Sequence, residues 1–196
     1  MDVAAEFKKI LKPGGVYRTS FLLKCLPSER SAVQTLLTSG VIKELQSGLY
    51  YCPKLTKFGE VFPKEHLLIK EFLKSPDFLL YSPNLYNSLG LGLTQLYNLQ
   101  FVLNKKRDGN FKFLGRQFRF FKHRDFPKKI TREFLLVDLL NNKKELAVDE
   151  ADLELVVRKN LSQFDSKKLL SATGKYGLQR TKNLIYEALG VPSRIH

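Results

Sequence analysis

Between Val16 and Pro53 the apolar positions change period twice, and the change predicts a helix-turn-helix followed by a two-stranded wing. Thr19 or Ser20 opens a short helix running to Cys25. Leu26-Pro27 ends it, because the residue before a proline is pushed out of helical backbone. Ser28 caps a second helix, on which Val33, Leu36, Leu37 and Val41 recur at helical spacing and give a narrow apolar face to pack on the first. Gly40 stops that helix. Ile42 to Gln46 and Leu49 to Pro53 then read as strands joined through Ser47-Gly48, where glycine supplies the positive φ of a tight hairpin.

Before this stretch, Val3 to Leu11 predicts a short helix ended by Pro13-Gly14-Gly15. After it, Cys52-Pro53 to Pro63 reads as an irregular connector, and the domain boundary is placed there, dividing the chain into 1–58 and 59–196. Lys64 to Lys74 predicts a helix, Phe78 to Tyr81 a buried strand, and Pro83 to Leu89 another helix. The period then falls to two. Leu99 to Lys106, Asn110 to Leu114 and Gln117 to His123 alternate, with Asp108-Gly109 as a two-residue hairpin signal and a second turn at Gly115-Arg116. Alternation puts Phe111, Phe113, Phe118 and Phe120 on one buried face and turns Lys112 and Arg119 outward. From Thr131 helical spacing returns, with helices over Thr131 to Leu140, Asp149 to Arg158, Ser166 to Ala172 and Leu178 to Leu189. The fold class is α+β: an N-terminal winged helix-turn-helix, then an α+β domain with a short antiparallel sheet and a C-terminal helical bundle.

Charge adds a partner class to this outline. The chain of 196 residues carries a net +14, which favours a polyanion, nucleic acid being the commonest. The excess is spread, at +5 over 1–58, +5 over 59–126 and +4 over 127–196. A basic tail on a neutral body is thereby excluded, while a solvated basic surface without a partner is the plain alternative. In a helix-turn-helix the start of the second helix lies nearest the base edges, here Ser28, Glu29, Arg30, Ser31 and Gln34. Arginine can pair with guanine and glutamine with adenine through two hydrogen bonds each, and a glutamate can accept from cytosine. Thr19, at the start of the first helix, joins them. Lys43, Gln46 and Lys54 flank the wing turn and are placed to meet the DNA backbone.

Catalytic patterns are thin. His66, His123 and His196 lie far apart, without the cysteine or carboxylate spacing of a zinc site, and no metal or cofactor is expected. Gly90-Leu91-Gly92 lacks the glycine and lysine of a phosphate loop. Asp149, Glu150, Asp152 and Glu154 cluster at a helix start, where they favour the positive end of its dipole. The run RQFRFFKHR mixes rings and bases as a single-strand platform would, but phenylalanines at period two are more often core. Cys25 and Cys52 are too few for a disulfide framework and read as buried thiols. No apolar run reaches membrane-spanning length and MDVAAEFKK lacks a signal segment, so the sequence predicts a soluble cytoplasmic protein, and with no motif arguing for catalysis the reading is a protein that is not an enzyme.

Three pieces together carry a family resemblance: GVYRTSFLL from Gly15, GVIKELQSGLYYCPKLTKFGEVFP from Gly40, and LLYSPNLYNSLGLGLTQLYNLQFVLN from Leu79. In order and spacing, about residues 14 to 140 resemble the AbiEi-type antitoxins of bacterial type IV toxin–antitoxin systems. The wing here is short and the C-terminal helical section compact. The resemblance implies a winged-helix repressor of its own operon, joined to a C-terminal domain needed for antitoxin action. Its double-stranded DNA partner would be its own promoter, and its functional partner a nucleotidyltransferase-like toxin that such antitoxins oppose without necessarily binding tightly. Lys112 and Arg119 are then candidate antitoxin-surface residues. Two other classes stay open: a protein-interaction module whose winged helix touches no DNA, and a small nuclease with a DNA-targeting module.

Overall fold

The computed structural model describes residues 7, 9–25, 32–122, 125–146 and 149–192. The helix expected from Val3 therefore shows only at Phe7, Lys9 and Ile10, and the turn at Leu26-Pro27 lies outside the described residues. The fold is mixed α+β, with several helices and small sheets. The chain forms two compact units, 1–78 with 106–118, and 79–105 with 119–196. The first unit is thus larger than the stretch 1–58 read from the sequence.

In the first unit, β1 (Val16–Arg18) leads without a linker into α1 (Thr19–Cys25), and α2 (Ala32–Thr38) follows. Next come β2 (Lys43–Gln46) and β3 (Leu49–Tyr51). β3 lies between β1 and β2, antiparallel to both, pairing Arg18 and Gln46 each with Leu49. Phe7, Leu11, Leu22, Leu36, Val41, Ile42 and Tyr50 form the core, with Cys25 and Cys52 half-buried against it as free thiols. Helical spacing explains this choice: Ala32 and Leu36 point inward while Gln34, Thr35 and Thr38 stay exposed.

The stretch expected to be irregular is instead a second antiparallel hairpin, β4 (Lys54–Thr56) and β5 (Gly59–Val61). Thr56 closes its turn, Oγ1 donating to Gly59 O at 2.9 Å and accepting from Phe58 N at 3.3 Å. A side-chain clasp of this kind leaves no dipeptide signature, and the prolines on either side hide the strands. α3 (Glu65–Leu73) follows, and Lys74 caps it in the left-handed region at φ 53°. Phe72 on α3 meets Phe111 and Phe113 edge to face at 4.9 Å.

β6 (Phe78–Tyr81), β7 (Leu99–Asn104), β8 (Gly109–Phe113) and β9 (Arg116–Lys122) form a sheet of order β6-β7-β9-β8. Asp108-Gly109 therefore does not close a hairpin between β7 and β8. A two-residue hairpin of type I′ needs positive φ at both central residues, and it is Leu114 (φ 50°) and Gly115 (φ 80°) that have it, one residue earlier than the second expected turn. The reason is burial. Phe118, Phe120 and Phe121 are all buried, so β9 fills an interior place that outweighs the local turn preference of Asp108-Gly109. With those rings covered, β9 offers no base-stacking platform.

In the second unit the central element is α4 (Arg132–Asn141), buried from Phe134 to Asn141. Thr131 caps it, its side chain accepting from Phe134 N at 3.1 Å. Around it pack the 3-10 turn Pro83–Leu89, α6 (Ser166–Tyr176) and α7 (Gln179–Ala188), with α5 (Glu150–Asn160) preceding them in the chain. Asp149 caps α5, accepting from Ala151 N and Asp152 N, and Glu150 and Glu154 both pair with Lys143. Asp149 thus serves the helix start, while Glu150 and Glu154 hold Lys143.

Candidate nucleic-acid interface

The residues expected to read DNA divide by what the structure describes. Ser28, Glu29, Arg30 and Ser31 lie outside the described residues. Gln34 is described and exposed on α2, its side chain on the face opposite Leu36; its backbone carbonyl accepts from Thr38 Oγ1 at 2.8 Å. Thr35 and Thr38 extend that polar face, and Lys24 is exposed on α1. The α2 face presents side-chain donors and acceptors of the kind base-edge readout uses.

The turn between β2 and β3 is Ser47-Gly48, with Gly48 at φ 78°. Thr19 N donates to Gly48 O at 3.2 Å, tying the start of α1 to the tip of this turn. Thr19 and Gln46 thereby line one cleft of about 370 Å³. Three cations share that cleft, Arg18, Lys74 and Arg107, none of which the sequence pattern singled out. Arg18 ends β1, Lys74 ends α3, and Arg107 precedes β8, so only the fold brings them together. Arg107 stacks on the Phe72 ring, 4.4 Å from its centroid, which fixes the guanidinium.

Lys43 and Lys54 meet different surroundings. Lys43 Nζ lies 2.5 Å from Glu60 Oε2, and Tyr51 OH donates to Glu60 Oε1 at 2.6 Å. The Lys43 ammonium, then the Tyr51 hydroxyl, hold the Glu60 carboxyl below its usual range, while burial and that carboxylate push Tyr51 up. A phosphate at Lys43 would have to compete with this carboxylate. Lys54 is exposed on β4. Beside it the hairpin carries exposed Leu55 and, at its tip, Phe58, 89% exposed.

The two candidate antitoxin-surface residues are unequal. Lys112 is exposed on β8. Arg119 is half-buried: it donates to Phe120 O at 2.8 Å, reaches Glu145 at 3.4 Å and covers the Phe121 ring at 4.6 Å. Alternation predicted that Arg119 points away from Phe118 and Phe120, but not that the face it joins is itself packed.

Among the described residues, no three His, Cys, Asp or Glu side chains are grouped to hold a metal. His66 packs against Phe78 at 4.7 Å. No described helix is long and apolar enough to cross a membrane. No family model matches the chain, and no curated protein matches it.

Proposed function

We propose that the chain is a DNA-binding transcriptional regulator that reads duplex DNA with α1 and α2 and touches the backbone with the β2–β3 turn as its wing. The observation that supports this reading most is the order β1-α1-α2-β2-β3 with β3 between β1 and β2, an order compatible with a winged helix, set in a chain of net +14. The exposed Gln34, Thr35 and Thr38 face supports it by presenting side chains of the type that read base edges. Arg30 and Gln34 make the base contacts in this reading; Thr19, Gln46 and Lys54 meet the backbone. Autorepression, and antitoxin action against a nucleotidyltransferase-like toxin, rest on the resemblance to AbiEi-type antitoxins alone. The protein acts by binding and not as an enzyme.

The test compares Gln34→Ala and Arg30→Ala on the duplex upstream of the reading frame and on random duplex. Each substitution is expected to cost on the order of 1–3 kcal/mol on the specific duplex and much less on random DNA. Equal weakening on both would reduce these residues to phosphate contacts. No weakening on either would remove the α2 face from the interface.

A further inference from the structure

The cleft beside the wing turn combines features that no single element of the sequence announces. Its lining is basic and hydroxylic: Arg18, Lys74 and Arg107, with Thr19, Ser20 and Ser47. Among the described residues no carboxylate lines it. Glu71 stands outside the lining, with Oε2 3.7 Å from Arg18 Nε, and this pair orients the guanidinium. Arg107 is fixed from its other side by the Phe72 ring, so two of the three cations are held before any ligand arrives. Burial draws Arg18 below the usual arginine range; Glu71 opposes this, and the Arg107 charge adds a smaller lowering. An anion entering the cleft would find planar donors of the kind that match phosphoryl oxygens in pairs.

We propose that this cleft seats a phosphate of the nucleic-acid backbone, held by Arg18, Lys74 and Arg107 with the hydroxyls of Thr19 and Ser47. The choice of a phosphodiester over a free phosphate rests on the DNA-binding reading above: the Ser47-Gly48 turn forms one wall, so a strand contacting the wing passes the mouth of the cleft. Arg107 then belongs to the DNA-binding surface although it lies about sixty residues beyond the wing in sequence.

Two arms test the proposal on the full chain. In the first, pyrophosphate is titrated while the backbone amide resonances of Ser47 and Gly48 are followed. They are expected to shift in the wild type and to stay still in a Lys74→Asn, Arg107→Gln double variant. Asparagine tolerates the left-handed backbone of position 74, where φ is 53°, so the variant keeps its fold. In the second arm, duplex affinity is measured against salt for the wild type and for Lys74→Asn. The slope of log K against log salt is expected to become shallower by about one unit, since the variant neutralises one phosphate fewer. Amides that never move with pyrophosphate, or that move equally in the double variant, overturn the anion site whatever DNA does. A pyrophosphate response with an unchanged salt slope overturns the backbone phosphate and makes the cleft a site for free phosphate. A wild type that binds no duplex but responds to pyrophosphate defeats the DNA-binding reading and the backbone occupant, and leaves the anion site standing.

Discussion

Asp138 is buried in the second unit, 2% exposed, and its carboxylate is satisfied by three donors: Tyr81 OH and Tyr86 OH on Oδ2, the latter at 2.5 Å, and Asn142 Nδ2 on Oδ1 at 3.0 Å. Desolvation still wins. Burial raises the carboxyl from 3.8 to about 6, against the three hydrogen bonds that favour the charged form. Because the folded value lies above the unfolded one, the folded state holds the proton more tightly. The stabilisation is therefore complete below the unfolded value and is lost as pH rises through the folded one. A shift of roughly two units corresponds to about 3 kcal/mol, lost between about pH 4 and pH 7. Asp138→Asn removes the ionisation and keeps an oxygen for the tyrosines. Its stability relative to the wild type is expected to rise by about 3 kcal/mol over that interval. Asp138→Ala instead strands two buried hydroxyls, at roughly 1–3 kcal/mol each, and should destabilise at every pH. Urea unfolding at a series of pH values measures all three proteins, and the difference between Asp138→Asn and wild type cancels the other carboxylates. A difference that is flat from pH 4 to pH 7 would refute the claim that desolvation outweighs the three donors.

Leu114 holds φ 50° in the β8–β9 turn, and asparagine adopts that backbone with less strain, so Leu114→Asn should stabilise by roughly 0.5–1 kcal/mol, read as a higher urea midpoint. A lower midpoint would show that the half-buried Leu114 side chain contributes more than its backbone costs. Under the antitoxin reading, Lys112→Glu should leave duplex binding and the unfolding midpoint unchanged while weakening rescue of growth in cells expressing the toxin. Undiminished rescue would remove Lys112 from that surface. Lys43→Ala should leave the salt slope of DNA binding nearly unchanged, because its ammonium already meets Glu60; a slope shallower by about one unit would mean that DNA displaces that carboxylate.

The helices and strands were legible where one local signal decides them. Thr131, Asp149 and Gly40 mark their boundaries by capping chemistry that acts within a few residues, and the spacing of Val33, Leu36 and Leu37 marks the side of α2 that packs on the core. Sheet order was not legible in this way. Asp108-Gly109 is a good hairpin dipeptide, yet the place of β9 between β7 and β8 is decided by the burial of Phe118, Phe120 and Phe121, which depends on elements distant in sequence. The β4–β5 hairpin was hidden for the opposite reason, since a threonine side chain closes it without glycine or asparagine at the turn centre. The candidate interface was legible in part. Thr19, Gln34 and Gln46 follow from the helix and wing pattern, whereas Arg18, Lys74 and Arg107 are ordinary surface cations in the sequence and become a cleft only through α3 and the Arg107 stack on Phe72. Nor does charge pattern reveal that Lys43 is already paired, because Glu60 sits on a hairpin that the sequence did not announce.

Sequence-specific binding of duplex DNA by the N-terminal unit is the central proposal. The direct measurement is fluorescence anisotropy of the full chain with the duplex upstream of its reading frame and with a shuffled duplex of the same composition, at several salt concentrations. Binding to both that weakens steeply with salt is expected, with a preference for the upstream duplex of about a thousandfold or more. Equal affinity for the two duplexes, or no binding at low salt, would contradict it.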